Sequence, residues 1–250
     1  MWQIFKVWFF QMSSPPIFFT QIVPWIRWSS IVGGTLFLIG LVWGLAIAPA
    51  DYQQGNSFRI IYIHVPAASA SMTAYVMLAI WGVIFLVWKI KMVDILAQSL
   101  IPVGLVLCAI ALATGSLWGI PTWGTAWAAD ARILSMALLL FLYIGLFLLR
   151  TQLKPLAKAQ KIASIVALVG VLNIPVIKYS VEWVATLHQG ATFTVTEKPR
   201  MPPEMYMPLL FTVLGVYLLM FAWTLIQARW LCLQRESGKQ WVNRWVTTKS

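Results

Sequence analysis

The sequence predicts an all-α integral membrane protein, a bundle of six transmembrane helices with a short amphipathic tryptophan-rich segment between the third and fourth spans. Hydrophobic residues make up 60% of the 250 residues, charged residues make up only 10%, and the mean hydropathy is +0.81. Six runs reach the roughly 20 apolar residues that a helix needs to cross a hydrocarbon core. Continuous apolar runs, such as residues 133–140, argue against a β-barrel, whose strands alternate polar and apolar residues.

We expect the six spans to form a single membrane domain over residues 1–250. No polar stretch is long enough to bury a core of its own, and the sequence shows no internal repeat. The first residues, up to Phe19, lack the charged start and cleavage site of a signal peptide and indicate an interfacial helix. The predicted spans are 28–48, 66–88, 95–118, 133–149, 162–179 and 206–228.

The distribution of positive charge predicts which side of the membrane each loop faces. Cytoplasmic segments keep lysine and arginine during insertion, and most of the 18 basic residues fall on the side of both termini. Both termini are therefore expected to be cytoplasmic. The basic residues on that side are Lys6, Arg27, Lys89, Lys91, Arg150, Lys154, Lys158, Lys161, Arg229, Arg235, Lys239, Arg244 and Lys249. Those on the outward side are Arg59, Arg132, Lys178, Lys198 and Arg200.

The net charge of +11 does not indicate a nucleic-acid partner. The cations are scattered over short loops and tails, whereas nucleic-acid binding requires one basic face. The two cysteines fall inside the third span and just beyond the sixth, so a disulfide is not expected.

A tryptophan-bearing, charge-tipped segment, residues 118–132, lies where the bilayer meets water on the outward side. If Thr122 or Thr125 caps a short helix lying flat on the membrane, Trp123 and Trp127 fall on one face at i, i+4. A flat aromatic ligand can stack on such a face. Tryptophan also concentrates at interfaces simply to anchor helices, and the sequence leaves that alternative open.

The two histidines, His64 and His188, lie in other short interruptions of apolar sequence on the same outward side. His64 comes just before Pro66, a residue suited to the first turn of a helix. Imidazole is the usual axial ligand of haem iron, and two of them from separate loops provide a six-coordinate site. A histidine that serves only as a hydrogen-bonded polar residue is the alternative.

Arg59 and Arg132 border the same region, where positive charge is not expected from topology alone. A guanidinium binds a carboxylate, such as a haem propionate, in forked geometry. An ion pair with Asp51, Asp130 or Glu182 is the alternative. Asp130 can orient either Arg132 or a histidine N–H group, and the sequence does not decide between them.

A series of short segments between about residue 25 and residue 192 resembles one known family. The segments are 48–57, 59–67, 114–116, 118–119, 123–125, 130–132, 179–183 and 186–190. The family is that of the cytochrome c maturation protein CcmC, or haem exporter protein C, within the tryptophan-rich haem-handling superfamily. This chain departs from the family pattern at Ala126 and Ala129, where the pattern has tryptophans, and at Ala128, where it has a larger residue.

The resemblance implies that the chain binds haem b, iron protoporphyrin IX, at the periplasmic face of a bacterial inner membrane. It implies that His64 and His188 are the axial iron ligands and that residues 118–132 form a platform for the porphyrin. The cofactor-binding residues expected from it are His64, His188, Trp118, Trp123, Trp127, Asp130, Arg59 and Arg132.

The resemblance also implies a set of partners. These are the ABC transporter subunits CcmA and CcmB, the small membrane protein CcmD, and the haem chaperone CcmE, onto which haem is loaded covalently. Membrane lipid surrounds the spans. No general base stands out in the loops, so we assign no catalytic residue and expect a lyase-like contribution through orientation alone.

Two other functions compete with haem presentation. A haem transporter or channel needs polar or ligating groups near the bilayer midplane, and the spans contain few of them. An electron carrier across the membrane needs a second haem site, for which the sequence has no further histidines.

Overall fold

The computed structural model describes residues 13–183 and 201–247. These residues are largely helical, and apart from one isolated bridge between Asp51 and Gly55 they contain no strand pairing. A π-helical turn, Trp43–Ile47, extends helix α2 (Val23–Val42), and a 3₁₀ turn, Asn56–Ile60, leads into helix α3 (Ile61–Trp88). The helices are α1 (Pro15–Gln21), α2 (Val23–Val42), α3 (Ile61–Trp88), α4 (Lys91–Trp123), α5 (Ala131–Gln152), α6 (Leu156–Gly170), α7 (Asn173–Trp183), α8 (Pro203–Arg235) and α9 (Gln240–Thr247).

Six segments of the described chain are long and apolar enough to cross a membrane, which confirms the predicted fold class. Each overlaps one predicted run and begins earlier, because helices continue beyond the hydrocarbon core into the interface. The chain is a multi-pass membrane protein. The spans are Val23–Ile47, Asn56–Trp88, Lys91–Trp123, Ala131–Gln152, Leu156–Trp183 and Pro203–Arg235.

Helix α3 is central, since it contacts α4, α6 and α8, while α5 packs against α4, α6 and α7. Helices α2 and α8 approach each other closely, because glycines there remove the side chains that would separate the backbones. A Cβ atom at Gly215 would lie 2.5 Å from the backbone nitrogen of Phe37, and one at Gly40 would lie 2.7 Å from that of Thr212. Small residues bring helices together in lipid in this way, because packing rather than hydrophobic burial drives association there.

Three fully buried tyrosines each pack against a glycine on a neighbouring segment. The pairs are Tyr62 with Gly44, Tyr75 with Gly170, and Tyr143 with Gly104. A Cβ atom at any of these glycines would lie 2.5 Å or less from an atom of its tyrosine. The tyrosine hydroxyls donate to backbone carbonyls, at Met205 (3.1 Å), Val166 (3.4 Å) and Ser71 (2.7 Å) respectively. Each pair therefore fixes helix spacing and satisfies the hydroxyl inside the bundle.

The fifth span is broken, although the sequence predicts one continuous run. Helix α6 ends at Gly170 and α7 begins at Asn173. Pro175 has no N–H group to donate to the Val171 carbonyl, and the N–H of Ile174 donates to that carbonyl instead, at 3.0 Å. The Asn173 side chain donates to the Ser135 carbonyl on α5 at 2.8 Å, so the break is tied to the neighbouring helix.

A buried charged network, which we call the Asp94 cluster, joins α4, α5, α6 and α8 at one end of the bundle. Arg150 Nη1 lies 2.8 Å from Asp94 Oδ1, and Arg235 Nη1 lies 2.6 Å from Asp94 Oδ2. Gln160 donates to Asp94 at 2.7 Å, and Gln98 accepts from both guanidinium groups. The side chains of Asp94 and Arg150 are only 3% exposed. The cluster thus ties four spans together where lipid offers no other partner for charge.

Helices α1 and α9, the first and last helices of the described chain, pack at the end of the bundle where the Asp94 cluster lies. Phe18 and Phe19 of α1 are buried in a cluster with residues of α4 and α8. The Phe19 ring contacts the Trp241 and Trp245 rings of α9, with centroids 5.4 and 5.1 Å apart. Residues 1–12 of the predicted interfacial helix lie outside the described residues.

Candidate functional site

A cavity of about 630 Å³ lies between α3, α4, α5 and the 3₁₀ turn before α3, at the opposite end from the Asp94 cluster. We call it the His64 cavity. Its volume is within the range of about 300–1,000 Å³ that small-molecule sites usually occupy. Polar and basic side chains line it near the loops, and apolar side chains line it farther along the helices. They include Gln53, Gln54, Ser57, His64, Ser69, Met72, Leu112, Ser116, Trp118, Thr122, Trp123, Arg132, Met136 and Lys178.

His64 lies in the first turn of α3 and forms part of the cavity wall. Its Nδ1 atom lies 3.0 Å from the Ala111 carbonyl oxygen and 3.1 Å from Thr114 Oγ1. Because a carbonyl oxygen only accepts, Nδ1 carries a proton, and in the neutral form of the ring the lone pair is then on Nε2. Gly115 permits this position, since a Cβ atom there would lie 2.9 Å from His64 Cε1. The ring is thus oriented by α4 in the tautomer that a metal ligand requires.

Trp118 stands between His64 and the loop that precedes α3. Its Nε1 donates to the side-chain oxygen of Gln54 at 2.7 Å. Its ring meets the His64 ring edge-on, with centroids 5.7 Å apart, and meets the Phe58 ring in the same manner. Trp123, the last residue of α4, also lines the cavity. Two of the three predicted tryptophans are therefore brought together with His64.

The expectation that Trp123 and Trp127 share the face of one short flat helix is wrong. Helix α4 continues to Trp123 and ends at Gly124, whose φ of 75° is the left-handed conformation that glycine adopts readily at a helix C-terminus. Residues 124–130 form no helix. The Thr125 side chain accepts from the Trp127 N–H at 3.2 Å within this turn rather than capping a helix. Trp127 is not among the cavity-lining residues, and it is 48% exposed.

Asp130 and Arg132 have different roles at the start of α5. Asp130 is the N-cap residue, and its Oδ1 accepts from the Ile133 N–H at 2.9 Å. Arg132 lines the cavity and donates from Nε to the Ile177 carbonyl at 3.3 Å, near the middle of α7. The cap fixes the first turn of α5 and thereby the place of Arg132.

Arg59 lies outside the cavity lining, in the 3₁₀ turn. Its guanidinium donates to the Ala48 carbonyl at 2.7 Å and to the Leu45 carbonyl, both at the end of the first span. Arg59 therefore holds the loop of residues 48–57, which supplies Gln54 to Trp118.

Lys178 is a cavity-lining cation that the sequence analysis did not single out. It lies on α7, and its Nζ is 5.3 Å from the centroid of the Tyr179 ring. The sequence did contain a signal for Lys178, because it is one of the few basic residues predicted to lie on the outward side, where topology does not favour positive charge. His188, the second predicted iron ligand, lies in residues 184–200, outside the described residues.

A sequence model of the family described as CcmC, Heme exporter protein C, matches residues 8–243. The chain belongs to the CcmC family. All the cavity-lining residues fall within the matched range. The chain is similar to a CcmC family protein of Escherichia coli strain K12, named Heme exporter protein C, with 44% identity over 237 residues, 94% of this chain and 95% of that protein.

The chain is also similar to two further relatives, one from a bacterium and one named as a mitochondrial protein. A Heme exporter protein C of Haemophilus influenzae is 42% identical over 211 residues, 84% of this chain and 85% of that protein. A ccmC-like mitochondrial protein of Marchantia polymorpha, named for cytochrome c biosynthesis, is 40% identical over 166 residues, 63% of this chain and 70% of that protein.

Proposed function

We propose that the chain binds haem b in the His64 cavity and presents it at the periplasmic face of the inner membrane for covalent loading onto the chaperone CcmE. The observation that carries the proposal is the His64 ring, which lines the cavity and whose Nδ1 proton is directed to the Ala111 carbonyl, so that in the neutral imidazole the lone pair is on Nε2. Iron is ligated by such a neutral imidazole. The family supports the cargo, because its members are named for haem export and cytochrome c biosynthesis.

The rest of the cavity suits a porphyrin with two carboxylates. Met72, Leu112 and Met136 provide an apolar wall farther along the helices, where the macrocycle can avoid water. Arg132 and Lys178 provide two cations, one for each propionate. This pair replaces the pair of Arg59 and Arg132 that the sequence suggested for direct contact.

Other predicted residues have indirect parts in this proposal. Arg59 holds the loop that places Gln54 against Trp118. The exposed Trp127 belongs to the non-helical segment after Gly124, where it is accessible to the incoming chaperone. In this proposal His188 would hold the haem iron together with His64, as the resemblance implies. The chain acts by orienting haem toward the chaperone, within an assembly that includes CcmA, CcmB and CcmD.

The far end of the bundle favours presentation over transport through this chain. A channel requires a continuous route across the midplane. The space beside the Asp94 cluster amounts to only about 20 Å³, and the cluster itself links four spans there. The His64 cavity is therefore a site approached from one end.

The propionate contacts give the first test. We expect Arg132→Gln and Lys178→Gln each to weaken haem binding about 10- to 150-fold, because each removes a charge-assisted hydrogen bond worth roughly 1.5–3 kcal/mol. Haem titration of the detergent-purified protein, followed by absorption, measures this change. Lys154→Gln is the control, since it removes an exposed charge at the other end of the bundle. Equal weakening in the control would mean that overall charge, rather than the cavity, attracts haem.

The two tryptophans at the turn should separate binding from transfer. Trp123→Ala removes a cavity-lining ring and is expected to lower haem affinity about 2- to 10-fold, from roughly 0.5–1.5 kcal/mol of ring contact. Trp127→Ala should leave haem per folded molecule unchanged and slow loading of CcmE. The comparison is made with haem absorption and with the yield of covalently loaded chaperone. A loss of haem in Trp127→Ala equal to that in Trp123→Ala would contradict this division.

Orientation can be tested with single introduced cysteines. We expect Ala126→Cys, at an exposed position just after Gly124, to react with an impermeant thiol reagent in intact cells treated to open the outer membrane, and Lys158→Cys to react only after the inner membrane is broken. The native Cys108 and Cys232 are both buried, so their background labelling is low. Labelling at position 158 in intact cells would reverse the proposed topology.

A further inference from the structure

A second groove of about 400 Å³ lies at the opposite end of the bundle from the His64 cavity, between the start of α2 and the end of α8. We call it the Arg229 groove. Its walls are the apolar side chains of Val23, Ile26, Ile226 and Leu233, and Trp230 and Trp245 stand beside them. Ile226 is 46% exposed and Trp230 is 57% exposed, so the groove opens on the lipid-facing side of the bundle.

Two arginines give the groove its charge. The Arg229 guanidinium lies 4.1 Å from the centroid of the Phe19 ring, and its Nε donates to the Phe19 carbonyl at 3.0 Å. This fixes the plane of the group, while the two terminal nitrogens make no hydrogen bond to any described residue. Arg27 also lines the groove, is exposed, and has no ion pair or hydrogen bond within the described ranges. No carboxylate is among the lining residues.

We propose that the Arg229 groove is a binding site for an anionic glycerophospholipid. A phosphodiester accepts hydrogen bonds from the terminal nitrogens of Arg229 and from Arg27, in the forked geometry that guanidinium provides. An acyl chain continues along Ile26 and Ile226 toward the bilayer. Basic pockets between transmembrane helices recognise anionic head groups in this way, and the two tryptophans are typical of the depth at which head groups lie.

The proposed lipid has a structural consequence, because it contacts four elements at once. The groove is formed by α1, α2, α8 and α9, through Phe19, Arg27, Arg229 and Trp245. A bound lipid therefore attaches the two short terminal helices to the ends of two spans. Anionic lipid should stabilise the folded chain, whereas zwitterionic lipid with the same acyl chains should do so less, since a ligand of the folded state raises its stability.

The test compares phosphatidylglycerol with phosphatidylcholine of identical acyl chains, added to the full-length protein in neutral detergent. We expect phosphatidylglycerol to raise the midpoint of thermal unfolding by about 2–4 °C over phosphatidylcholine and to appear as a retained adduct in native mass spectrometry. Arg27→Gln should abolish most of the difference, and because Arg27 has no partner among the described residues, this variant should fold normally. Arg27→Gln combined with Arg229→Gln should abolish it completely.

The control is a double variant, Lys154→Gln with Lys158→Gln, which removes the same charge from two exposed positions at the same end, one just before α6 and one in its first turn. It should keep the full preference for phosphatidylglycerol. Loss of the preference in this control would reduce the effect to general attraction of anionic lipid and would overturn the site. An equal shift of the unfolding midpoint with inorganic phosphate alone would overturn the lipid assignment. Absence of both the adduct and the lipid preference would overturn it too, and would indicate that another part of the chain fills the groove.

Discussion

Replacing His64 with alanine is expected to lower the affinity for haem by at least about 10- to 100-fold. Removal of a residue that only hydrogen-bonds to a metal ligand already costs that much affinity. The variant deletes the proposed iron ligand, Nε2, and also the ring that α4 orients through the Ala111 carbonyl. It should fold normally, because the ring borders a cavity rather than filling the core. Haem absorbance per mole of monodisperse protein measures the effect. Retention of full haem occupancy would exclude His64 as an iron ligand.

Two glycine-to-alanine variants distinguish ligation by His64 from a general effect of disturbing a helix. Gly115→Ala places a methyl group where it would lie 2.9 Å from His64 Cε1, so the ring must shift although it is still present. We expect a smaller haem loss than in His64→Ala. Gly145→Ala on α5 is the matched control, because nothing lies within 4 Å of its Cβ position, and it should bind haem normally. Equal losses in the two glycine variants would contradict the proposed ligation.

Replacing Asp94 with leucine should cause the largest loss of stability, about 3–5 kcal/mol, because it leaves Arg150 and Arg235 buried without their carboxylate. For a chain of this size we expect the unfolding midpoint to fall by roughly 6–20 °C. Reaction of the two buried thiols, Cys108 and Cys232, with a fluorescent dye on heating reports the transition.

A second substitution shows whether uncompensated charge is the cause. Adding Arg150→Met to Asp94→Leu leaves one buried guanidinium instead of two, so the double variant should be more stable than Asp94→Leu alone. A double variant whose losses simply add would indicate that the contacts at Asp94 and Arg150 contribute independently. The exposed Glu204→Gln provides the baseline for loss of an acidic residue and should change the midpoint little.

Hydropathy predicted the six spans well because the membrane selects long apolar runs directly, whatever their neighbours. It did not predict the break at Pro175, since apolar composition continues through the break while the backbone hydrogen bonding does not. The Asp94 cluster was also not foreseen. Its members lie on four helices, and the sequence shows each of them only as an isolated polar residue near the end of a span.

The candidate site was predicted in part for similar reasons. His64, Trp118, Trp123 and Arg132 all line one cavity. Their placement on the same predicted side of the membrane was sufficient to group them. The exclusion of Arg59 from the lining and the inclusion of Lys178 depend on how the loop and α7 pack, which spacing along the chain does not reveal. The flat helix through Trp127 failed because the left-handed Gly124 ends α4 before it.

The three tyrosine and glycine pairs imply that some positions can change only together. Gly104 has no room for a methyl group while Tyr143 faces it, because the added carbon would lie 2.3 Å from the hydroxyl oxygen. Shortening Tyr143 alone would leave the Ser71 carbonyl without that donor inside the bundle. A substitution in one segment is thereby coupled to a substitution in the segment packed against it. Sequences of related chains should therefore show correlated substitutions at positions 44 and 62, at 104 and 143, and at 75 and 170.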